Sequence, residues 1–431
     1  MSAPPQSPPT THLVVRDLDY YDDRAHGLLA VLADGEPGAL EQVRAWHPGF
    51  AGADDEAIRI APFTIDDARL VYAREHGFAN WEMLGERLRQ LADGAEPEPF
   101  MAVWDAGTQR DWERGRAILH AHPELSRARG TNGNTLLNLA CAALRCPAPG
   151  LSLAEQMDRD EEDAERLAPV RALLAMGADA NQPNDRGWTP LHQAAYRNDA
   201  PMCALLLQAG SRVDLSAHGD GGTPLAVALF WGHRESASLL ARSGIVPANL
   251  RIAAALGRAD LVQHCFTREG ALTPAARAAR GFYRPHSGFP AWRASDEPQE
   301  VLDEALVWAA KSGGVEVMPL LVEHGARVSA DPYRGTPLIW AAANGRTAAV
   351  RWLVKHGADI NQRATFGGPA HGEGVTALHL AAQNDRVEVA RLLVSLGADV
   401  TIRDALYDAT AAGWAEHQGA AAAATYLSEQ I

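Results

Sequence analysis

Lysine is almost absent from this 431-residue chain: Lys311 and Lys355 are the only two, and arginine supplies the rest of its 39 basic side chains. No Gly-Lys-Ser/Thr step exists, which removes the nucleotide-binding phosphate loop and disfavours lysine Schiff-base chemistry. Arginine in place of lysine is also associated with GC-rich bacterial genomes. Positive charge is scarce overall, with a net charge of −15 and no basic stripe. A nucleic-acid partner is therefore not expected, since little is present to neutralise phosphates. The chain has no apolar run of about 20 residues that could cross a bilayer, so no membrane partner is expected. Its opening segment, Met1–Pro9, has neither the basic start nor the apolar centre of a secretory signal. The four cysteines, Cys141, Cys146, Cys203 and Cys265, lie in or beside predicted helices and read as small buried hydrophobes. Zinc would require paired short spacings, so no metal is expected. The motifs His-Glu-x-x-His, Gly-x-Ser-x-Gly and Cys-x-x-Cys are all missing, and no cofactor is expected. These absences point to a cytoplasmic protein.

What the chain has in quantity is a recurring phrase. Gly187-Trp188-Thr189-Pro190-Leu191-His192 is echoed by Gly222-Thr223-Pro224-Leu225, Gly335-Thr336-Pro337-Leu338 and Val375-Thr376-Ala377-Leu378-His379. Threonine is placed to cap a helix, and proline follows at the first helical position, where its missing N–H costs nothing. The alanine pairs that come next (Ala194-Ala195, Ala341-Ala342, Ala381-Ala382) make a slender first helix that a neighbour can approach closely. A bulkier second helix follows, as in Val350-Arg351-Trp352-Leu353-Val354, with aliphatic residues at helical spacing. Glycines 177, 210, 244, 325, 357 and 397 stand where such helices end in the left-handed region.

The interval from Thr189 to Thr223 is 34 residues, and that from Thr336 to Thr376 is 40, a unit lengthened by a loop. Motif and period together resemble the ankyrin repeat. The resemblance covers roughly Phe100 to the C-terminus and implies an all-α ankyrin-repeat solenoid of stacked helix-turn-helix units with hairpin fingers. Two units depart from the pattern, with Ala248-Asn249-Leu250-Arg251 and Glu304-Ala305-Leu306-Val307 in place of Thr-Pro-Leu-His. In the resemblance His192 and His379 hydrogen-bond backbone between adjacent fingers, and Trp308, Trp340 and Trp414 point to the core.

The expected organisation is a disordered tail over residues 1–18, a helical cap over 19–98 and a repeat array over 99–431. In the cap, Thr64 starts a helix that Gly77 stops, and Asn80 starts another at Trp81. Three insertions interrupt the array. The first, at about 144–165, is acidic and solvated. The second, at 267–300, carries Tyr283, Arg284, His286 and Trp292 in a stretch rich in aromatics and arginine, which reads either as packing that patches the irregular repeat or as a contact segment, these residue types being enriched in binding hot spots. The third, at 364–374, is a flexible finger with His371 and Glu373. The second and third should border one groove, as both follow second helices.

By the resemblance, the residues before Thr-Pro and after the alanine pair face the concave side, where partners bind. Those places hold Trp188, Tyr196, Arg197, Phe230, Trp231, Tyr333, Arg334, Ala343, Asn344, Gln383 and Asn384; large aromatics on a solvent-facing wall suggest a contact surface, and the alternative for Phe230 and Trp231 is packing on the neighbouring first helix or on an insertion. Two functions compete. One is a non-enzymatic module that binds a protein or peptide on this face and the fingers. The other is an ankyrin-scaffold enzyme or small-molecule receptor, with a pocket closed by 267–300 and 364–374 and with His286, His371 and Glu373 as its acid/base and orienting groups.

Overall fold

The computed structural model describes residues 11–33, 35–109, 111–142, 164, 166–217, 219–244, 246–282, 294–332, 335–365 and 373–430. The fold is all-α. Among the described residues the only paired strands are Ala364–Thr365 and Glu373–Val375, a short antiparallel hairpin that forms the base of the third insertion. The chain divides into two compact units, Met1–Gln193 with Leu205–Ser211, and Ala194–Ala204 with Arg212–Ile431.

In the first unit, Thr64 and Asp67 form a reciprocal capping box that starts the Ile65–Glu75 helix, and Asn80 caps Trp81–Ala92 by accepting from the Met83 N–H. Both starts match their sequence signals. The order of the chain begins earlier than expected, however. The Thr11 N–H donates to the Glu75 carbonyl at 2.8 Å, His12 bridges to Gly130, and Leu13 is buried, so residues 11–17 do not belong to a disordered tail. Residue 98 is not a boundary between compact bodies either. His12 stacks on Phe100 at 4.9 Å, Arg16 pairs with Asp105, and both Tyr21 Oη and His76 Nε2 lie 3.2 Å from the Thr131 hydroxyl. These contacts join the N-terminal helices to Pro99–Thr108, the first helix of the pair it makes with Trp112–Ala121, and to Thr131 beyond that pair, in one body.

The second unit is a stack. Its first helices, Pro224–Phe230, Leu250–Ala255, Pro298–Ser312, Pro337–Ala343, Ala377–Gln383 and Ala411–Gln418, run in chain order, and from Leu250 onward each contacts the next. The second helices Thr347–Lys355, Val387–Ser395 and Ala421–Ser428 pack in the same succession. One apolar cluster runs without a break from Leu250 to Leu427. Thr223 and Thr336 cap their helices through the N–H three residues on, with proline behind them, and the six terminal glycines all have positive φ.

The two irregular repeats start differently from the expected register. Asn249 itself is the cap, accepting from the Ile252 N–H at 3.0 Å, so it stands in the place of threonine rather than proline. Glu304 does not open a helix at all. It lies in the middle of the 15-residue helix Pro298–Ser312, which begins inside the insertion.

Glu75 carries a pH signature of the first unit. It is 5% exposed and accepts from the Gln42 amide at 2.8 Å. Burial pushes its carboxyl from 4.5 up to about 7, with the Gln42 hydrogen bond opposing. Between these values the folded chain keeps a proton that the unfolded chain has released, so stability falls as pH rises through the window. Glu75→Gln is expected to be near neutral at about pH 4 and to stabilise by roughly 3 kcal/mol near pH 8. Urea unfolding across that pH range measures the difference.

Candidate interaction surface

Within the second unit, the ends of the first helices gather around one ammonium group. Lys311 projects from the last turn of Pro298–Ser312 and is 2% exposed. Its Nζ donates to the Phe230 carbonyl at 2.7 Å and sits 3.4 Å from the Trp340 ring centroid and 4.2 Å from that of Phe230. Ring faces supply negative potential that replaces part of the lost hydration of a buried cation. Phe230 is the hub of the aromatic contacts, meeting Trp231 at 5.3 Å, Phe282 at 5.6 Å, Trp308 at 5.9 Å and Trp340 at 6.4 Å in edge-to-face geometry. It thereby touches residues of the second and third repeats beyond its own.

A charge network adjoins this cluster. Arg251 bonds Glu304 at 2.9 Å, and the other Glu304 oxygen accepts from Arg280, which also reaches Glu300 at 3.0 Å. Arg251, Arg280 and Glu304 are each at most 3% exposed. Arg251 also donates to the carbonyls of Ala279 and Arg280. This is the duty that His379 performs in a regular repeat, where its Nε2 meets the Ala409 carbonyl at 3.1 Å and its Nδ1 holds Thr376. A guanidinium on the irregular repeat thus replaces the imidazole in tying a helix to the loop that follows.

These packing relations correct two expected surface residues. Phe230 is 1% exposed and is core, not wall. Trp188 is 4% exposed: in the first unit its backbone is held by Asn138 and Asn184 and its ring lies against His192. Tyr196, Arg197 and Trp231 are half-buried. The Tyr196 and Trp231 rings meet edge-on at 5.6 Å, and the Arg197 guanidinium lies 5.3 Å from the Tyr196 ring centroid. Trp308, Trp340 and Trp414 are buried as expected. Tyr283, Arg284, His286, Trp292, Tyr333, Arg334 and His371 lie outside the described residues, as does nearly all of the 144–165 insertion.

The described parts of the other two insertions engage different neighbours. Arg280 and Phe282 pack on Glu304 and Phe230, and Gly219 and Gly221 approach the carbonyls of Gly281 and Ala279. Glu373 has an exposed side chain, and its carbonyl accepts from Ala405 N–H at 2.8 Å in the last finger. The expected common border is therefore not found among the described residues. Cys203 and Cys265 are buried free thiols, Cys141 is buried as well, and no group of metal-binding side chains occurs among the described residues. No helix of these residues is long and apolar enough to cross a membrane.

Sequence reasoning missed Lys311, Arg251, Glu304 and Arg280. A signal existed: Glu304, Trp308 and Lys311 are spaced i, i+4, i+7 on one helix face. Charges on a stripe that must be buried require partners.

Models of ankyrin repeats match residues 164–249, 250–364 and 338–394, together more than half of the chain. The chain belongs to the ankyrin-repeat family. It is similar to the RelA-associated inhibitor of Mus musculus, with 43% identity over 56 residues that make up 13% of this chain and 7% of that protein. It is similar to protein PhlB of Serratia liquefaciens, at 32% over 117 residues, 24% of this chain and 52% of that protein. The Ankyrin repeat and SOCS box protein 16 of Homo sapiens matches at 31% over 191 residues, 44% of this chain and 33% of that protein. The chain thus spans from 7% to 52% of the length of these relatives.

The ankyrin stack depends on the buried charges at its irregular repeat. Glu304→Gln removes the carboxylate shared by Arg251 and Arg280 and is expected to destabilise the second unit by about 3–5 kcal/mol, since it strands buried charge. Denaturant unfolding of the variant beside Glu300→Gln, whose carboxylate is more exposed, checks this, with a clearly smaller loss expected for the latter.

Proposed function

We propose that this ankyrin protein is a protein-binding module without chemistry of its own, which contacts a protein or peptide through the turn ends of its first helices and its fingers. One observation carries the reading. Tyr196, Arg197 and Trp231 stand together and half-exposed beside the buried Phe230 hub. Aromatic rings and arginine enrich the centres of protein interfaces, and here the rings are already immobilised by their neighbours, so little side-chain entropy is left to lose on binding. One named relative fits the reading, being called an inhibitor associated with RelA. A cytoplasmic location goes with the proposal, since the buried free thiols of Cys203 and Cys265 suit a reducing compartment.

Partner capture from a lysate of the source cells, followed by titration of the captured protein against wild type and variants, tests it. Tyr196→Ala with Trp231→Ala is expected to weaken binding at least about 30-fold, from roughly 2 kcal/mol or more for a central anchor. Arg197→Glu, at a half-exposed site, serves as the variant least able to disturb folding. Equal affinity in all variants with unchanged melting would remove this face from the interface.

A further inference from the structure

In the second unit, two successive repeats precede their second helices with an arginine that reaches back over the glycine turn of the repeat before. Arg346 stands before Thr347–Lys355 and donates from Nε to the Lys311 carbonyl at 3.0 Å. Arg386 holds the same place before Val387–Ser395 and donates to the Ala343 carbonyl at 3.4 Å. A Cβ on Gly313 would lie 3.3 Å from the Arg346 Cδ, and one on Gly345 would lie 3.2 Å from the Arg386 Cδ. The bare glycines thus let both arginine stems lie close on the turns, which sets the two guanidinium groups at equivalent places in successive repeats. Through Nη2, Arg346 also donates to the Gly232 carbonyl at 2.6 Å. This places it beside the turn that carries Trp231 and Arg234.

The three arginines concentrate like charge in a chain of net charge −15. Arg234 and Arg386 are exposed, Arg346 is half-buried, and none of them forms an ion pair among the described residues. Burial, and then the charges of Arg234 and Arg386, pull Arg346 down to about 10. His233, on the turn of Arg234, is pulled down to about 4: burial outweighs a hydrogen bond to the Tyr196 backbone, and the charges of Arg346 and Lys311 act in the same sense as burial. Both groups therefore sit in a positive field. Glu235 and Glu316 are exposed at neighbouring turns and pair with none of the three arginines. Cations held near one another repel, and an anion bound among them recovers that cost.

The same turns carry the Tyr196–Trp231 surface, whose rings meet at 5.6 Å. An acidic stretch of polypeptide fits both parts, since the rings take apolar side chains and the guanidinium forks take carboxylates. A nucleic acid fits less well. A long polyanion would run past the arginines onto a surface of net negative charge, whereas a short acidic segment meets the local cations within a screening length of about 8 Å.

We propose that the segment docking at these turn ends is an acidic stretch of a partner protein, its carboxylates held by Arg234, Arg346 and Arg386 and its apolar side chains by Tyr196 and Trp231. This inference rests on the protein-binding reading above and adds the chemistry of the partner.

Selection of random dodecapeptides displayed on phage against the immobilised full chain tests it. The retained peptides are expected to carry on average at least about three more acidic than basic residues, and a synthetic copy of the strongest to bind with Kd of about 100 μM or tighter. Arg234→Glu and Arg386→Glu should each weaken that peptide about tenfold with unchanged melting, as both side chains are exposed. Arg268→Glu, at an exposed site beyond the far end of the Ala259–His264 helix, should leave its affinity unchanged. Acidic peptides that bind both Arg234→Glu and Arg386→Glu at full affinity, or an oligothymidylate that binds more tightly than any peptide, would overturn the proposal. Retention of neutral or basic peptides would overturn it as well; if their binding is lost with Tyr196→Ala and Trp231→Ala together, the protein-binding reading stands without it. Retention of no peptide of any charge would remove both.

Discussion

The ammonium of Lys311, held between the Phe230 carbonyl and the faces of Trp340 and Phe230, fixes how the repeats of the second unit meet at their turn ends. A lysine so deeply enclosed can keep its charge only where carbonyl oxygens and ring quadrupoles stand in for water. Phe230, Trp308 and Trp340 come from three different repeats, so the requirement of one side chain fixes the approach of all three. Arg346 reinforces the same arrangement by donating to carbonyls of two earlier turns. The two irregular repeats lie within this clasp. Their departure from the standard phrase is matched by a second set of buried charges, Arg251, Glu304 and Arg280, which ties the insertion to the stack.

The consequence for function is a division of labour among aromatics that look alike in sequence. Phe230 and Trp231 are neighbours in the chain, yet one is the hub of the core and the other is half-exposed beside Tyr196. The buried ring positions the half-exposed one, and contact between rings replaces the flexible presentation that a loop would give. A repeat array offers such rigid display because each unit is braced by both neighbours.

Much of the helical pattern was legible before any coordinates. Thr223-Pro224 and Thr336-Pro337 read as capped helix starts because capping is a local matter, settled within four residues. Thr64 and Asn80 were legible for the same reason. The alanine pairs read as close-packing surfaces because small side chains permit little else. The register of the irregular repeats was harder. Asn249 caps as well as threonine does, but no proline follows to mark it, and the Pro298–Ser312 helix begins inside what composition alone marks as a loop. Of the expected contact residues, Trp188 and Phe230 proved to be core, because burial depends on what lies opposite a residue and not on the residue itself.

The sequence by itself determined the class of architecture: the period, the caps and the glycine stops fix helix pairs that cannot bury their apolar faces except by stacking. It also determined which chemistries are excluded, through motifs and lysines it does not contain. Only the tertiary structure decided which aromatics are core and which remain half-exposed, and that two arginines share one buried glutamate. The same holds for the meeting of turns near Gly232 and Ser312, 80 residues apart in the chain, which line one cleft. Those outcomes depend on contacts between residues far apart in sequence, and such contacts are set by how whole repeats settle on one another.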